Sequence, residues 1–368
     1  GPINKIIVAN DELIYFQDSG YGEVAVNPRV TVSGSDGVPT QLGTGGVLHD
    51  FTYRSTSIGC KHQWSVVTSP SGVYWFNVLN KKIYKHTRGA ATGELSDSKG
   101  MHSFFASNVD NTLLNTDNPL KKTGIHGTFD MLNQEIIFTF MGQHASKSDF
   151  TTSYSEPLSS WVSFFDFTPR HYIKSKSKML SQVIVPLVPG APIKNNGGLG
   201  IADPIEGSLD VGGIYKHNTG KYLQFYDTYF NFSVDVVVNP ESESTKIFEN
   251  IGYHANAKNV GGYSVDQTGF DSIECYTDYQ HSGPILLTPG TNTKRKEREW
   301  TLGVPRNVMV DNGTDLDIFD ASNYDGSREY KDKMRDKYLI QSFKYMGNDN
   351  TDQFVLNYIN TYYRTSPR

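Results

Sequence analysis

Two runs of the sequence, Tyr74-Trp75-Phe76 and Ile83-Tyr84-Lys85-His86, are built from aromatic and β-branched residues and separated by the turn-forming Asn77-Val78-Leu79-Asn80-Lys81. Bulky and β-branched side chains suit a pleated surface, so this pattern predicts a tight antiparallel hairpin. Similar strand-length runs recur along the chain. They include Glu135 to Phe140, Trp161 to Phe167, Tyr222 to Tyr226, Phe232 to Val238, Ser272 to Tyr276, Arg298 to Val304, Tyr338 to Tyr345 and Gln353 to Tyr363. In Phe232 to Val238 the apolar residues alternate with Ser233 and Asp235, with Val237 as the exception, which is the period of a strand with one buried face.

The apolar inventory points the same way, since 22 Tyr, 20 Phe and 4 Trp outweigh any helix-like Leu or Ala run, and 34 Gly and 16 Pro supply frequent turns. An all-β fold is expected, β-propeller-like over 1–229 and followed by a smaller β-sandwich-like part over 230–368. The alternative is that the second part completes the same propeller. Ile-Tyr-Lys-His at 83–86 recurs at 214–217, each time before a short turn bearing Thr and Gly, and three units of roughly 44 residues would account for that spacing. Val185 to Asp210 is dense in Gly and Pro and reads as a long surface loop, whereas Ser327 to Asp336 is the best short helix.

A net charge of -5 gives no global attraction to nucleic acid or anionic lipid. Cys60 and Cys275 have no ligand-like spacing and read as buried thiols, and no run of some 18 apolar residues predicts a membrane span. The leading Gly1-Pro2 reads as the remnant of a tag-removing cleavage, so the chain is expected to be a piece of a longer protein.

Catalytic signatures are absent from the sequence: Gly43-Thr44-Gly45-Gly46-Val47-Leu48 carries Leu48 where a dinucleotide-binding loop needs its last Gly, so a turn is expected there. Asp130, Glu135, Asp166 and Asp235 are candidate glycosidase acids by residue type alone, and Ser33 to Gly37 is half of a sialidase-type turn without its Trp. Asp311 to Asp317 and Asn348 to Asp352 read as Asx-rich turns and do not follow the EF-hand order. No cofactor and no metal site is expected. The sharpest charge feature is Lys294-Arg295-Lys296-Glu297-Arg298-Glu299-Trp300. On one continuous strand, Lys294, Lys296 and Arg298 share a face, which suits edge protection, contact with an acidic neighbouring subunit, or contact with a phosphate backbone.

The chain resembles the tail muzzle, or stabilisation, proteins of crAss-like bacteriophages. The resemblance rests on ordered landmarks: Gly43 to Leu48, Gly59, Trp64, the YWFN hairpin, Leu95-Ser96-Asp97 with Lys99-Gly100-Met101, and Gly127-Thr128-Phe129-Asp130 before the Asn133 to Phe140 block. It continues through Trp161 to Phe165, Val238-Asn239-Pro240, Lys246 to Ile251, Phe270 to Ile273, Asp278-Tyr279-Gln280, Pro305-Arg306 and Met334 to Ile340. It implies a non-enzymatic virion protein at the distal end of a phage tail, assembled as a ring around the DNA ejection channel after synthesis in the host cytoplasm. Its partners would be other tail proteins and copies of itself, with transient contact to phage DNA. Lys294, Lys296 and Arg298 are then the candidate subunit or channel contacts. The alternative function is a glycan-binding or glycan-cleaving propeller.

Overall fold

The aromatic hairpin forms as its sequence predicts, with Gly72–Asn77 paired antiparallel to Lys82–His86, and every residue of its first strand is buried. Both faces are therefore covered, which explains why Val73-Tyr74-Trp75-Phe76 shows no polar alternation. Trp75 packs on Phe16 (5.1 Å between ring centroids) and Tyr21 (4.8 Å) of one neighbouring sheet. Phe76 points the other way, to Phe140 (4.9 Å) and Phe105 (5.5 Å).

This computed structural model describes all residues except 27–29, 34–38, 43–47, 145–146, 176, 187–209, 221, 227, 260–261, 266–267, 308–331, 347–350 and 367–368. The fold is all-β. The chain divides into two units, Gly1–Thr219 and Gly220–Arg368.

The first unit is a series of antiparallel meanders in chain order. The first sheet comprises Ile3–Ala9, Glu12–Gln17, Tyr21–Val26 and Leu48–Ser55, with the small hairpin Val30–Ser33 and Pro39–Leu42 lying between its last two strands in sequence. The second is Val67–Ser69, Gly72–Asn77, Lys82–His86 and Gly93–Glu94, and the third Gly124–Asp130, Glu135–Met141, Phe150–Ser155 and Ser160–Phe165. The fourth has His171–Ile173, Leu180–Pro186 and Asp210–Lys216. Successive four-stranded meanders are the local unit of a propeller blade, but closure into a ring does not follow from these sheets. One core, with Ile14, Phe16, Tyr21, Trp75 and Tyr84, joins the first two sheets, and another, with Tyr74, Phe76, Ile136, Phe138 and Phe140, joins the second to the third.

In the second unit, Phe232–Val238, Leu339–Tyr345, Ser272–Tyr276 and Ile285–Leu286 form one sheet in that order. The other is built on Lys246–Asn259, a 14-residue strand paired along its length with Thr351–Thr365, and it also takes in Glu299–Gly303, Lys294–Lys296 and Arg335–Asp336. Both sheets contribute to one core around Tyr253, Phe270, Trp300, Leu339 and Phe343. Phe232–Val238 alternates between half-buried and exposed residues, and Val237 stands exposed as its sequence position predicts.

Several expectations change. The Leu95 to Met101 landmark, where no helix is expected, contains a short one, Leu95–Ser98, and a second helix, His102–Asn108, follows it and drives Phe105 into the core. Of Ser327 to Asp336, residues 327–331 lie outside the described residues. The remainder is not helical: Met334 is fully buried, and Arg335–Asp336 pairs with Ile247 and Lys246, because core burial and strand pairing outweigh helix propensity there. Tyr222 to Tyr226 contains only the two-residue strand Gln224–Phe225. The Gly43 to Val47 turn, residues 187–209 of the long loop, Gly34 to Gly37 of the sialidase-like turn, Asp311 to Asp317 and Asn348 to Asn350 lie outside the described residues.

Candidate functional site

The basic run does not form one strand. Lys294–Lys296 pairs antiparallel with Glu299–Gly303, Lys296 standing opposite Glu299, and Glu297 and Arg298 make the two-residue turn with φ of 52° and 73°. Positive φ at both central residues matches the right-handed strand twist, so the chain reverses here although neither residue is Gly or Asn. Lys294 and Lys296 stay on one exposed face of a strand at the end of the sheet order, and exposed Arg298 stands at the hairpin tip. Arg295 is half-buried over the Trp300 ring at 5.9 Å. The three candidate contact residues are thus close in the fold, with the tip replacing the third strand position.

A second cluster, not anticipated from the sequence, lies between the first and second sheets. His86, the last residue of Lys82–His86, is buried, and its Nε2 lies 3.0 Å from Glu12 Oε2 and 3.6 Å from Glu23 Oε1. Its Nδ1 faces the Tyr21 hydroxyl at 3.4 Å. Arg54 grips Glu23 through two contacts of 2.6 and 2.8 Å, while Arg88 Nε lies 3.4 Å from Glu12 Oε1.

Glu12 lies in the first hairpin of the first sheet, where it opens the second strand, and the same junction recurs at the next two sheets with different chemistry. Glu156, just past the third strand of the third sheet, accepts hydrogen bonds from Ser69 (2.6 Å) and Ser71 in the first hairpin of the second. Asn218, just past the third strand of the fourth sheet, donates at 2.9 and 2.8 Å to the two carboxylate oxygens of Asp130, in the first hairpin of the third. The repeated Ile-Tyr-Lys-His thus marks the third strands of the second and fourth sheets. The echo spans two unequal meanders, which replaces the expected three units of 44 residues.

These contacts also place the candidate acids. Asp130 is buried and accepts from Leu132 N (3.0 Å) and Asn133 (2.8 Å) as well as Asn218, so it braces its hairpin. Glu135 lies opposite Asp130, and burial raises its carboxyl above the ordinary range. Asp166 follows Ser160–Phe165, and Asp235 is exposed on Phe232–Val238 in the other unit.

Both cysteines are buried and free, and burial pushes the Cys60 thiol up to about 12. Near Gly59, whose added Cβ would meet the Gln17 and Asp18 carbonyl oxygens at 2.4 Å, the Trp75 indole donates to the Gly59 carbonyl at 3.1 Å. Burial holds His62 and His126 down at about 4 and raises Asp117 to about 6. His126 is buried beside His171, with 5.8 Å between the ring centroids. Among the described residues no helix is long and apolar enough to cross a membrane.

Comparison with known proteins gives a consistent picture. The family model described as Crassvirus muzzle protein matches residues 1–182, and the one described as Crassvirus muzzle protein C-terminal domain matches residues 220–307. The chain is 25% identical over 311 residues to the Muzzle protein of Bacteroides phage crAss001, an alignment that takes in 84% of this chain and 20% of that protein. The chain therefore spans about a fifth of that relative's length.

Proposed function

The chain belongs to the crAss-like phage muzzle protein family and has a phage structural role, and on that premise we propose that it serves without catalysis at the distal tail end, in a ring around the DNA ejection channel. Its contacts would be with copies of itself, with other tail proteins and, transiently, with DNA. The observation that carries this reading is the hairpin of Lys294, Lys296 and Arg298, a local cationic surface on a chain whose net charge is -5. Such a patch attracts an acidic subunit face or a phosphate backbone at short range, since screening removes most of the attraction beyond roughly 8 Å at physiological salt. The non-catalytic reading is supported by Asp130, the best-buried of the candidate acids, because its oxygens are already engaged in bracing two turns.

Virions carrying Lys294→Glu together with Lys296→Glu test the assignment. Both side chains are exposed, so the isolated variant should melt within about 2 °C of the parent. Incorporation into tails, read by electron microscopy and by protein content of purified particles, should fall at least tenfold. Variant particles that incorporate the protein and eject DNA as the parent does would remove this hairpin from the contact surface.

A further inference from the structure

The geometry points to a divalent transition-metal site, of the zinc class, formed by Glu12, Glu23 and His86. Their ligand atoms, one from each side chain, all lie within 4.8 Å of one another. The imidazole Nε2 stands 3.0 Å from Glu12 Oε2 and 3.6 Å from Glu23 Oε1. A tetrahedral ion with bonds of about 2.0–2.1 Å to nitrogen and oxygen needs neighbouring ligands about 3.4 Å apart, so small side-chain shifts suffice. The set lies largely out of solvent, at 2% side-chain exposure for His86, 14% for Glu12 and 19% for Glu23.

Four further points favour an ion over a plain ionic contact. Nε2 carries at most one proton, so the ring donates to one carboxylate and cannot serve the second equally. The Tyr21 hydroxyl sits against Nδ1, the position from which an outer partner fixes the ring and directs Nε2 towards a metal. Arg88 approaches Glu12 Oε1, leaving Oε2 for the ion. The equivalent junctions at the following sheets pair a carboxylate with serine hydroxyls or an asparagine amide, and among the described residues this junction alone gathers ligand atoms of two carboxylates and an imidazole within 4.8 Å of one another. The opposing feature is Arg54, whose Nε lies 2.6 Å from Glu23 Oε1, the same oxygen the ion would take. Arginine and metal therefore compete for Glu23. A bound ion would tie the second and third strands of the first sheet to the end of the third strand of the second.

The test is a calorimetric titration of the metal-stripped 368-residue chain with zinc chloride, paired with melting curves. One equivalent should bind and raise the melting temperature. Glu12→Gln and Glu23→Gln, each checked by circular dichroism for an unchanged fold, should weaken binding at least tenfold. Glu156→Gln, at the analogous junction without the imidazole, should leave zinc affinity as it was. Arg54→Met should tighten binding by removing the competitor, whereas a purely ionic junction would lose melting temperature in that variant and take up no zinc. Absence of both heat and thermal shift in the parent chain, or equal affinity in the parent and the two glutamine variants, overturns the site.

Discussion

Two residues, Glu297 and Arg298, hold the cationic hairpin in the left-handed backbone region, where a side chain costs about 1–2 kcal/mol per residue. Replacing them by the Asn-Gly pair preferred in two-residue hairpins should remove much of that cost. Glu297→Asn with Arg298→Gly is expected to stabilise the chain by about 1 kcal/mol, visible as a rise in urea midpoint at unchanged slope. A fall in midpoint would mean that the two side chains support the hairpin through contacts. Titration sets a second residue-scale expectation. Burial holds His62, His126 and His217 at about 4, against an unfolded value near 6.5, so between those limits the unfolded chain binds more protons. Their contribution is present above pH 6.5 and is lost as pH falls to about 4, on the order of 3 kcal/mol for each if burial is maintained. Asp117, raised to about 6, acts in the opposite sense: its favoured protonated form helps the fold at low pH, and that help is lost as pH rises through about 6. Three histidines outweigh one aspartate, so the melting temperature should drop from pH 7 to pH 4.5. His126→Phe should flatten that acid limb; a flat profile in the parent would contradict the burial of three neutral rings.

At the scale of elements, the junctions between consecutive meanders are where a few polar contacts should matter most. Asp130→Ala removes the buried acceptor of Leu132 N, Asn133 and Asn218 together, and a cost of about 1–3 kcal/mol is expected from losing several hydrogen bonds to one charged group. Asn218→Ala in the Asp130→Ala background should cost little more, because their partnership is already gone; additive losses in a double-mutant cycle would deny the coupling. Phe232–Val238 was legible in the sequence because one half-buried face leaves an alternating trace, and Gly72–Asn77 because aromatic density marks a strand even when both faces are covered. The helix at His102–Asn108 was not legible. Seven residues are too few to carry a helical period, and burial of Phe105 holds them in place. The turn at Glu297-Arg298 lacks Gly or Asn, so the basic run read as one strand. The His86 junction was hidden by distance, Glu12 being 74 residues away in sequence, although the Ile-Tyr-Lys-His echo pointed at the strand end where the imidazole sits.

For the whole molecule, the decisive matter is whether residues 220–368 form a second body or finish the architecture begun by the four meanders. The cores argue for a second body. The two clusters of the first unit draw on residues between Ile7 and Tyr154, whereas the third draws on Phe248 to Tyr345 and is closed by partly buried residues from Leu223 to Tyr363. The longest pairing, Lys246–Asn259 with Thr351–Thr365, also brings together chain segments about a hundred residues apart without using the first unit. A unit with its own core and its own strand pairing carries most of its folding free energy internally. Residues 1–219 and 220–368, produced separately, should each unfold in one cooperative transition, and their melting temperatures should match two transitions of the 368-residue chain within about 3 °C. If 220–368 instead supplies the last blades of a closed propeller, neither piece would have a complete ring; each would then show non-cooperative melting and exposed apolar surface detectable by dye binding, and mixing them would restore cooperative unfolding.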